Sequence, residues 1–260
     1  MKIKENSLKN HDRRTFIKKV LKGTISGSLL LVIPAGADVG KPEVGNGPMK
    51  GKQFVFIVDV TRCIGCGSCC VADKREYQVP DGYYRTWVER YIKDIDDEVF
   101  VDSPNGGVDG YQEPRTDLKR PVRDTFFIPK LCNMCQKPSC VQVCPVGATF
   151  RSPDGFVLID HERCVGCAYC IQACPYSVRF LHPVSKTAGK CTWCYHRVRK
   201  GLLPVCVEVC PVKARKFGDM NDKSSEVYKL LSGPGVITVL KKEMGNKPSL
   251  FYKDARREVV

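Results

Sequence analysis

The sequence predicts an α+β protein built from two small cysteine-centred modules with long loop insertions. Three observations lead to this: sixteen cysteines gather in four groups, short apolar segments enter the first and third groups, and turn-forming residues separate the segments. With 43% hydrophobic and 27% charged residues over 260 positions, the chain as a whole is neither disordered nor an integral membrane bundle. Such cysteine usage makes cysteine chemistry the first question.

An export signal is predicted in residues 1–37. Arg13 and Arg14 precede an apolar pair, residues 23–34 form an uncharged apolar run, and Ala35-Gly36-Ala37 fits a cleavage pattern. The run is shorter than the roughly 20 residues that span a bilayer. The segment resembles a twin-arginine signal peptide, which exports folded proteins, so we expect cleavage after Ala37 and a location in the periplasm or on the outer face of the cytoplasmic membrane. A basic helix or an uncleaved anchor is the alternative.

Short strands are predicted around the cysteine groups in residues 38–260. Residues 54–59 and 155–160 are apolar segments that enter the first and third groups. Ser152-Pro153-Asp154-Gly155 is a turn signal, so residues 149–160 are predicted to form a hairpin. Residues 178–181 and 214–217 are predicted to be returning strands after the third and fourth groups.

The four cysteine groups have spacings typical of metal ligation. Group one is Cys63, Cys66 and Cys69, followed by Asp73; group two is Cys132, Cys135, Cys140 and Cys144; group three is Cys164, Cys167, Cys170 and Cys174; group four is Cys191, Cys194, Cys206 and Cys210. Group three matches the bacterial ferredoxin run C-x2-C-x2-C-x3-C-P, in which three cysteines bind one cluster and the fourth binds the other cluster of the pair. We therefore predict two bacterial ferredoxin-like modules, each with two iron-sulfur clusters.

Structural zinc and disulfides are the alternatives to iron-sulfur clusters. Paired C-x2-C motifs also bind zinc, but zinc does not explain a third cysteine at the same spacing or the repeated Cys-Pro. Disulfides suit an exported chain, yet cysteines this close along the chain are poorly placed to bridge each other. Both alternatives are therefore less favoured.

Group one departs from the ferredoxin pattern. Asp73 stands where the fourth cysteine is expected, and Cys70 directly follows Cys69. Cys70 is either a small buried residue or a slipped ligand. Asp73 either binds iron through its carboxylate or lies beside a three-iron cluster, and either would change that cluster's reduction potential. The sequence does not choose between them.

The motifs together resemble a known family. They include Arg62-Cys63-Ile64-Gly65-Cys66, Leu131-Cys132-Asn133-Met134-Cys135, Arg163-Cys164-Val165-Gly166-Cys167 and Lys190-Cys191-Thr192-Trp193-Cys194. The chain is similar to the iron-sulfur subunits of molybdopterin oxidoreductase complexes, which include dimethyl sulfoxide, polysulfide, tetrathionate and formate-linked nitrite reductases. Residues 164–175 and 190–211 are especially similar to tetrathionate reductase beta subunits.

This resemblance implies which residues share a cluster. The implied sets are Cys63, Cys66, Cys69 and Cys210; Cys191, Cys194, Cys206 and the position of Asp73; Cys132, Cys135, Cys140 and Cys174; and Cys164, Cys167, Cys170 and Cys144. We call these the first, second, third and fourth ligand sets. Groups one and four then form one module, residues 54–76 with 185–219, and groups two and three form the other, residues 126–184. Three [4Fe-4S] clusters and one atypical centre, [3Fe-4S] or Asp-ligated [4Fe-4S], are expected.

The resemblance also implies a function. Such a subunit passes single electrons between a membrane quinone or quinol subunit and a molybdopterin catalytic subunit. The alternatives are a stand-alone iron-sulfur oxidoreductase with an open iron beside Asp73, and a soluble ferredoxin-like shuttle. His11, His161, His182 and His196 are scattered, and none lies in a catalytic context.

Nucleic acid is not an expected partner, although the net charge is +14. The leader carries part of this charge, metal-bound thiolates would offset more of it, and the sequence contains no basic recognition helix.

Two further segments lie outside the cysteine groups. Residues 77–125 form an insertion, with a strand predicted at 83–88 and a turn at 103–107; it either docks the catalytic subunit or shields clusters from water. Residues 220–260 form a tail, with a helix predicted at 222–231 and a strand at 236–240, which packs on a partner or on the domain.

Overall fold

The strands of the computed structural model form four small sheets in the residues that it describes, which are 49, 51–111, 115, 118 and 120–259. The largest sheet has the order β10-β11-β1-β9 and contains β1 (Phe54–Asp59), β9 (Arg215–Asp219), β10 (Ile237–Thr238) and β11 (Leu250–Lys253). Strand β1 enters group one and pairs antiparallel with β9, which follows group four.

Strand β1 is apolar along almost its whole length because both of its faces are covered. Phe56 and Val58 face the main core, whereas Val55 and Ile57 pack against Val227 on the other side. A strand buried on both faces lacks the alternation of polar and apolar residues that marks a half-exposed strand. The predicted strand at residues 54–59 is confirmed.

The insertion forms a three-stranded antiparallel sheet of order β3-β2-β4. Its strands are β2 (Thr86–Asp94), β3 (Val99–Asp102) and β4 (Val122–Leu131). Val88 and Ile128 are buried in the main core. The predicted strand begins at Thr86 rather than at residue 83 and continues to Asp94. The expected boundary between residues 125 and 126 falls inside β4, so the insertion sheet runs directly into group two.

Two hairpins complete the strands. Strands β5 (Thr149–Arg151) and β6 (Val157–Ile159) confirm the hairpin predicted at residues 149–160, and β7 (Arg179–Leu181) pairs with β8 (Ala188–Lys190). Strands β7 and β9 confirm the two returning strands.

The helices are short, and most of them carry cysteines. They are α1 (Ser68–Tyr77), α2 (Ser139–Gln142), α3 (Tyr169–Gln172), α4 (Tyr195–Val198), α5 (Val205–Glu208) and α6 (Glu226–Ser232). Single turns of 3-10 helix span Val60–Arg62, Pro104–Gly107 and Lys242–Met244. The second of these includes most of the turn predicted at 103–107. The fold is α+β, as predicted.

The C-terminal tail packs on the domain. Its helix α6 begins later than predicted, with the Ser225 side chain accepting a hydrogen bond from the Tyr228 N–H, and its predicted strand is reduced to β10. Strand β11, which the sequence did not reveal, adds parallel to β1. Of the helices that the structure describes, none is long and apolar enough to cross a bilayer. The predicted export signal lies outside the described residues.

Candidate metal centres

The first ligand set surrounds one cavity. Cys63, Cys66, Cys69 and Cys210 line it together with Arg215. Burial raises the pKa of Cys63 to about 11, and nearby Cys69 and Cys210 add to this rise. The structure therefore brings together three cysteines of group one and the last cysteine of group four.

Glycines allow the loops of groups one and three to turn between their first two cysteines. Gly65 and Gly166 have φ angles of +68° and +69°, which side chains rarely adopt. A Cβ at Gly65 would come within 2.6 Å of the Phe127 ring, and one at Gly166 would clash with the carbonyl oxygen of Lys186. These positions need glycine both for conformation and for space.

The second ligand set combines group four with Asp73. Burial raises the pKa of Cys191 to about 12, with the carboxylate of Asp73 as the next largest cause. Burial also raises the pKa of Cys206, and Cys191 and Cys194 contribute to that rise. Asp73 also contributes to the raised pKa of Cys194. These electrostatic contacts place Asp73 beside the thiols of group four.

Asp73, and not Cys70, faces group four. The Asp73 side chain is on α1 and only 3% exposed, and its Oδ2 has no hydrogen-bond partner among the described residues. Cys70 is fully buried and its thiol donates to the carbonyl oxygen of Gly106 in the insertion, at 3.6 Å. The Cys70 sulfur also lies 3.9 Å from the Cys69 sulfur, which belongs to the first ligand set. Cys70 is therefore buried between Cys69 and the insertion.

Arg85 is a buried partner of Asp73 that sequence reasoning missed. Its Nε lies 3.8 Å from Asp73 Oδ2, which is an ion pair but too long for a hydrogen bond. The guanidinium lies 3.2 Å above the centre of the Tyr77 ring, and Nη2 donates to Thr192 Oγ1 at 3.1 Å. Arg85 belongs to the insertion, which thus covers the second ligand set.

The third ligand set is also gathered. Burial raises the pKa of Cys135, and nearby Cys132, Cys140 and Cys174 all add to it. Arg179 Nη2 donates to Cys140 Sγ at 3.0 Å. The structure therefore joins three cysteines of group two with the last cysteine of group three.

In the fourth ligand set, two sulfur atoms accept hydrogen bonds from backbone N–H groups. The Thr149 N–H donates to Cys144 Sγ at 3.3 Å, and the Ala188 N–H donates to Cys164 Sγ at 3.4 Å. Cys167 is exposed and Cys170 is buried. Helices α2 and α3, which lead to Cys144 and Cys174, are joined where the Ser139 hydroxyl donates to the carbonyl oxygen of Ala173 at 2.8 Å.

These donors suit anionic iron-sulfur clusters. All sixteen cysteines are free thiols, and backbone N–H groups or buried cations point at several of their sulfur atoms. Such donors stabilise metal-bound thiolates and tune cluster potentials. Among the described residues, no group of three or more His, Cys, Asp or Glu side chains is arranged to hold a single metal ion.

Comparison with known proteins identifies the family. The B subunit of tetrathionate reductase from Salmonella typhimurium is 40% identical over 241 residues, which cover 92% of this chain and 87% of that protein. The chain belongs to this family of iron-sulfur electron-transfer subunits. The B subunit of tetrathionate reductase from Archaeoglobus fulgidus is 46% identical over 78% of this chain and 82% of its own. A putative iron-sulfur B subunit of dimethyl sulfoxide reductase from Halobacterium salinarum is 37% identical over 77% of this chain and 78% of its own.

A family model agrees with these relatives. The 4Fe-4S dicluster domain matches residues 123–220, which contain groups two, three and four. The chain therefore carries 4Fe-4S clusters and functions in electron relay, as predicted. The relatives named above are B subunits of reductases.

Three more buried cations near the cysteines were missed by sequence reasoning. Arg215, Lys190 and Arg179 are 1%, 3% and 5% exposed. A signal for two of them exists in the sequence, because Arg179 and Arg215 each follow a Cys-Pro by the same spacing, C-P-x3-R. The same spacing therefore places an arginine five residues after the last cysteine of group three and of group four.

The three described histidines make local contacts. His161 Nδ1 lies 3.0 Å from Thr187 Oγ1, His196 Nε2 lies 2.7 Å from Glu76 Oε1, and His182 Nδ1 accepts from the Ser185 N–H at 3.2 Å. His11 lies outside the described residues.

Proposed function

We propose that this iron-sulfur subunit carries single electrons along four clusters, between a membrane quinone or quinol subunit and a molybdopterin catalytic subunit. The observation that carries the proposal is the gathering of distant thiols: Cys210 lies with group one, and Cys174 lies with group two. A cluster held by two separate segments is the arrangement of paired ferredoxin clusters. When bound, the clusters supply one-electron redox chemistry.

The four ligand sets would each hold one cluster, in two modules. The pairing of β1 with β9 supports a module of groups one and four, because it joins the strand before the first group to the strand after the fourth. The link between Ser139 and Ala173 supports a module of groups two and three. The indole N–H of Trp193, which lies between Cys191 and Cys194 in the sequence, donates to the carbonyl oxygen of Cys132 at 2.8 Å. This hydrogen bond supports a junction between the second and third sets, and so a continuous path.

The second set would hold the atypical centre. Asp73 supplies either a carboxylate ligand in a [4Fe-4S] cluster or the neighbour of an open corner in a [3Fe-4S] cluster. Asp73 Oδ2 accepts no hydrogen bond from the described residues, which supports a role for this carboxylate toward the cluster. Burial raises the pKa of Asp73, and Arg85, at 3.8 Å, opposes that rise and would orient the carboxylate.

Export by the twin-arginine route would place the subunit at the outer face of the cytoplasmic membrane, attached through its partners. The signal in residues 1–37 supports this proposal, since folded proteins use that route. N-terminal sequencing of the exported protein tests it: a start at Asp38 is expected, and an earlier start contradicts cleavage after Ala37.

Burial of Asp73 disfavours a stand-alone oxidoreductase. The carboxylate lies beside Arg85, and Tyr77 stacks on that arginine, so a substrate would have to displace both to reach an open iron. Turnover of a small substrate by the isolated subunit would contradict the relay proposal. A soluble shuttle would be indicated if the subunit did not copurify with membranes.

Electron paramagnetic resonance of the anaerobically purified protein, with iron and zinc counts, tests the cofactor proposal. A three-iron signal in the oxidised sample would indicate an open corner beside Asp73. About sixteen irons per chain without that signal would indicate Asp73 or Cys70 as a ligand, since four cubanes contain that many. Zinc in place of iron would refute the relay. Asp73→Cys is a matched variant: it is expected to convert the atypical signal to that of an ordinary [4Fe-4S] cluster.

A further inference from the structure

Arg215 is buried between the first and second ligand sets. It lines the cavity of the first set, and its strongest electrostatic partners are Cys69 and Cys206, which belong to those two sets. Its Nη2 donates to Thr86 Oγ1 at 2.9 Å, whereas Nη1 has no hydrogen-bond partner in the described part of the chain. A buried guanidinium with an unpaired N–H is costly unless an anion faces it. Cysteine-bound clusters on both sides would be such anions.

Arg179 has the same position in the other module. Its Nη2 donates to Cys140 Sγ at 3.0 Å, and Nη1 donates to Thr149 Oγ1 at 3.3 Å. Its strongest electrostatic partners among the thiols are Cys140 and Cys132 of the third set, followed by Cys170 of the fourth set. Helix α3, which carries Cys170, packs against β7, which begins at Arg179. Arg179 therefore lies between the third and fourth ligand sets.

An internal repeat explains why the two arginines correspond. Arg179 is the first residue of β7, and Arg215 is the first residue of β9. Each lies five residues after the cysteine that its group contributes to a distant set, Cys174 or Cys210. The Cys-Pro turn and the beginning of the following strand thus position a guanidinium at the same place in each module.

Lys190 lies in the remaining interval, between the second and third ligand sets. Its ammonium donates to the carbonyl oxygen of Cys191 at 2.8 Å, and it is buried at the end of β8. Lys190 lies opposite Arg179 in the pairing of β7 with β8. Burial lowers the pKa of Lys190, and the nearby thiols of Cys132 and Cys140 in the third set and of Cys191 in the second set oppose this shift. Arg179 is its other charged neighbour. Lys190 therefore lies where the two modules meet.

We propose that Arg215, Lys190 and Arg179 set the reduction potentials of the clusters, with one buried cation at each of the three intervals between the four ligand sets. The proposal rests on the proposed four-cluster function. A fixed positive charge stabilises the reduced form of a cluster, because reduction adds negative charge, and a low dielectric strengthens this effect. A cation between two clusters raises the potentials of both.

The test is a redox titration of the full chain in its complex, followed by electron paramagnetic resonance. Arg179→Met is expected to lower two of the four potentials, and Arg215→Met to lower the other two. Lys190→Met is expected to lower one potential from each pair. The expected shift is at least about tenfold in the oxidised-to-reduced ratio at fixed potential, which is about 59 mV for a one-electron couple.

A solvent-exposed arginine provides the matched control. Arg163 directly precedes Cys164, but its side chain is 53% exposed and pairs with Asp160. Water and salt screen exposed charges, so Arg163→Met is expected to leave all four potentials unchanged. Arg179→Lys and Arg215→Lys keep the charge and are expected to keep the potentials within about twofold of the original ratio.

Two results would overturn the proposal. One is a variant with all its clusters and unshifted potentials, and the other is an equal shift of all four potentials. If a methionine variant loses its clusters, the lysine variant at the same position tests the proposal instead. A tenfold shift of the oxidised-to-reduced ratio in that lysine variant, which keeps the charge, contradicts the proposal. An original protein without iron-sulfur clusters would instead refute the proposed function, so the two failures are distinguishable.

Discussion

Removing Arg85 should destabilise the protein strongly, because it leaves the Asp73 carboxylate buried without its counter-ion. The two side chains are 9% and 4% exposed, and the charged atoms are 3.8 Å apart. At about this distance and an effective dielectric constant near 20, two unit charges attract by about 4 kcal/mol. Breaking a buried pair from one side costs about 3–5 kcal/mol. The packing of the guanidinium on Tyr77 is lost as well.

Arg85→Met should therefore lower Tm by roughly 6–20 °C, since 1 kcal/mol corresponds to about 2–4 °C in a domain of this size. The double variant Arg85→Met/Asp73→Asn should be less destabilised than the sum of its single changes, because no unpaired charge then remains buried. Anaerobic calorimetry at one fixed scan rate measures all three variants. An iron count on each separates loss of the ion pair from loss of a cluster.

Asp160 and Arg163 form the control pair. Their atoms are closer, at 3.2 Å, but the side chains are 34% and 53% exposed. Exposed pairs contribute about 0–1 kcal/mol, so Arg163→Met should lower Tm by only a few degrees. Additive effects of Arg85→Met and Asp73→Asn, with iron content unchanged, would refute the argument that the buried carboxylate depends on this arginine.

Three further predictions follow from particular contacts. Cys70→Ala should keep the original iron count and paramagnetic spectrum, because the Cys70 thiol donates to the carbonyl oxygen of Gly106. Cys69→Ala, the control, should lose iron. A loss of iron in Cys70→Ala would show that Cys70 is a ligand. Gly166→Ala should lower Tm far more than Gly201→Ala, because both have positive φ but only Gly166 faces a carbonyl oxygen, and equal losses would contradict this. Tyr252→Phe should lower stability by about 1 kcal/mol, measured as Tm, because its hydroxyl donates to the carbonyl oxygen of Pro129 at 3.0 Å in the core.

The insertion has a structural role in the domain, and its sequence indicated only part of that role. It supplies Arg85 to the second ligand set and Gly106 to Cys70, and its sheet buries Val88 in the main core. These contacts support a shielding role, which was one of the two interpretations of this segment. Docking of the catalytic subunit on its outer side stays a prediction.

Local features of the molecule were determined by the sequence alone. The spacing of group three predicted an iron-sulfur motif, in the part of the chain that the 4Fe-4S dicluster domain matches. Ser152-Pro153-Asp154-Gly155 predicted the hairpin of β5 and β6. Both follow from short-range geometry, in which a few consecutive residues fix the backbone path. The apolar segment at residues 54–59 was likewise sufficient to predict β1.

Long-range contacts were decided only by the tertiary structure. Whether Asp73 or Cys70 faces group four depends on how α1 is rotated against segments more than a hundred residues away, and spacing within group one does not contain that information. The parallel addition of β11 to β1 depends in the same way on a distant partner. The burial of Arg85, Arg179, Lys190 and Arg215 was hidden too, because a charged side chain is normally exposed unless an anionic partner is brought to it.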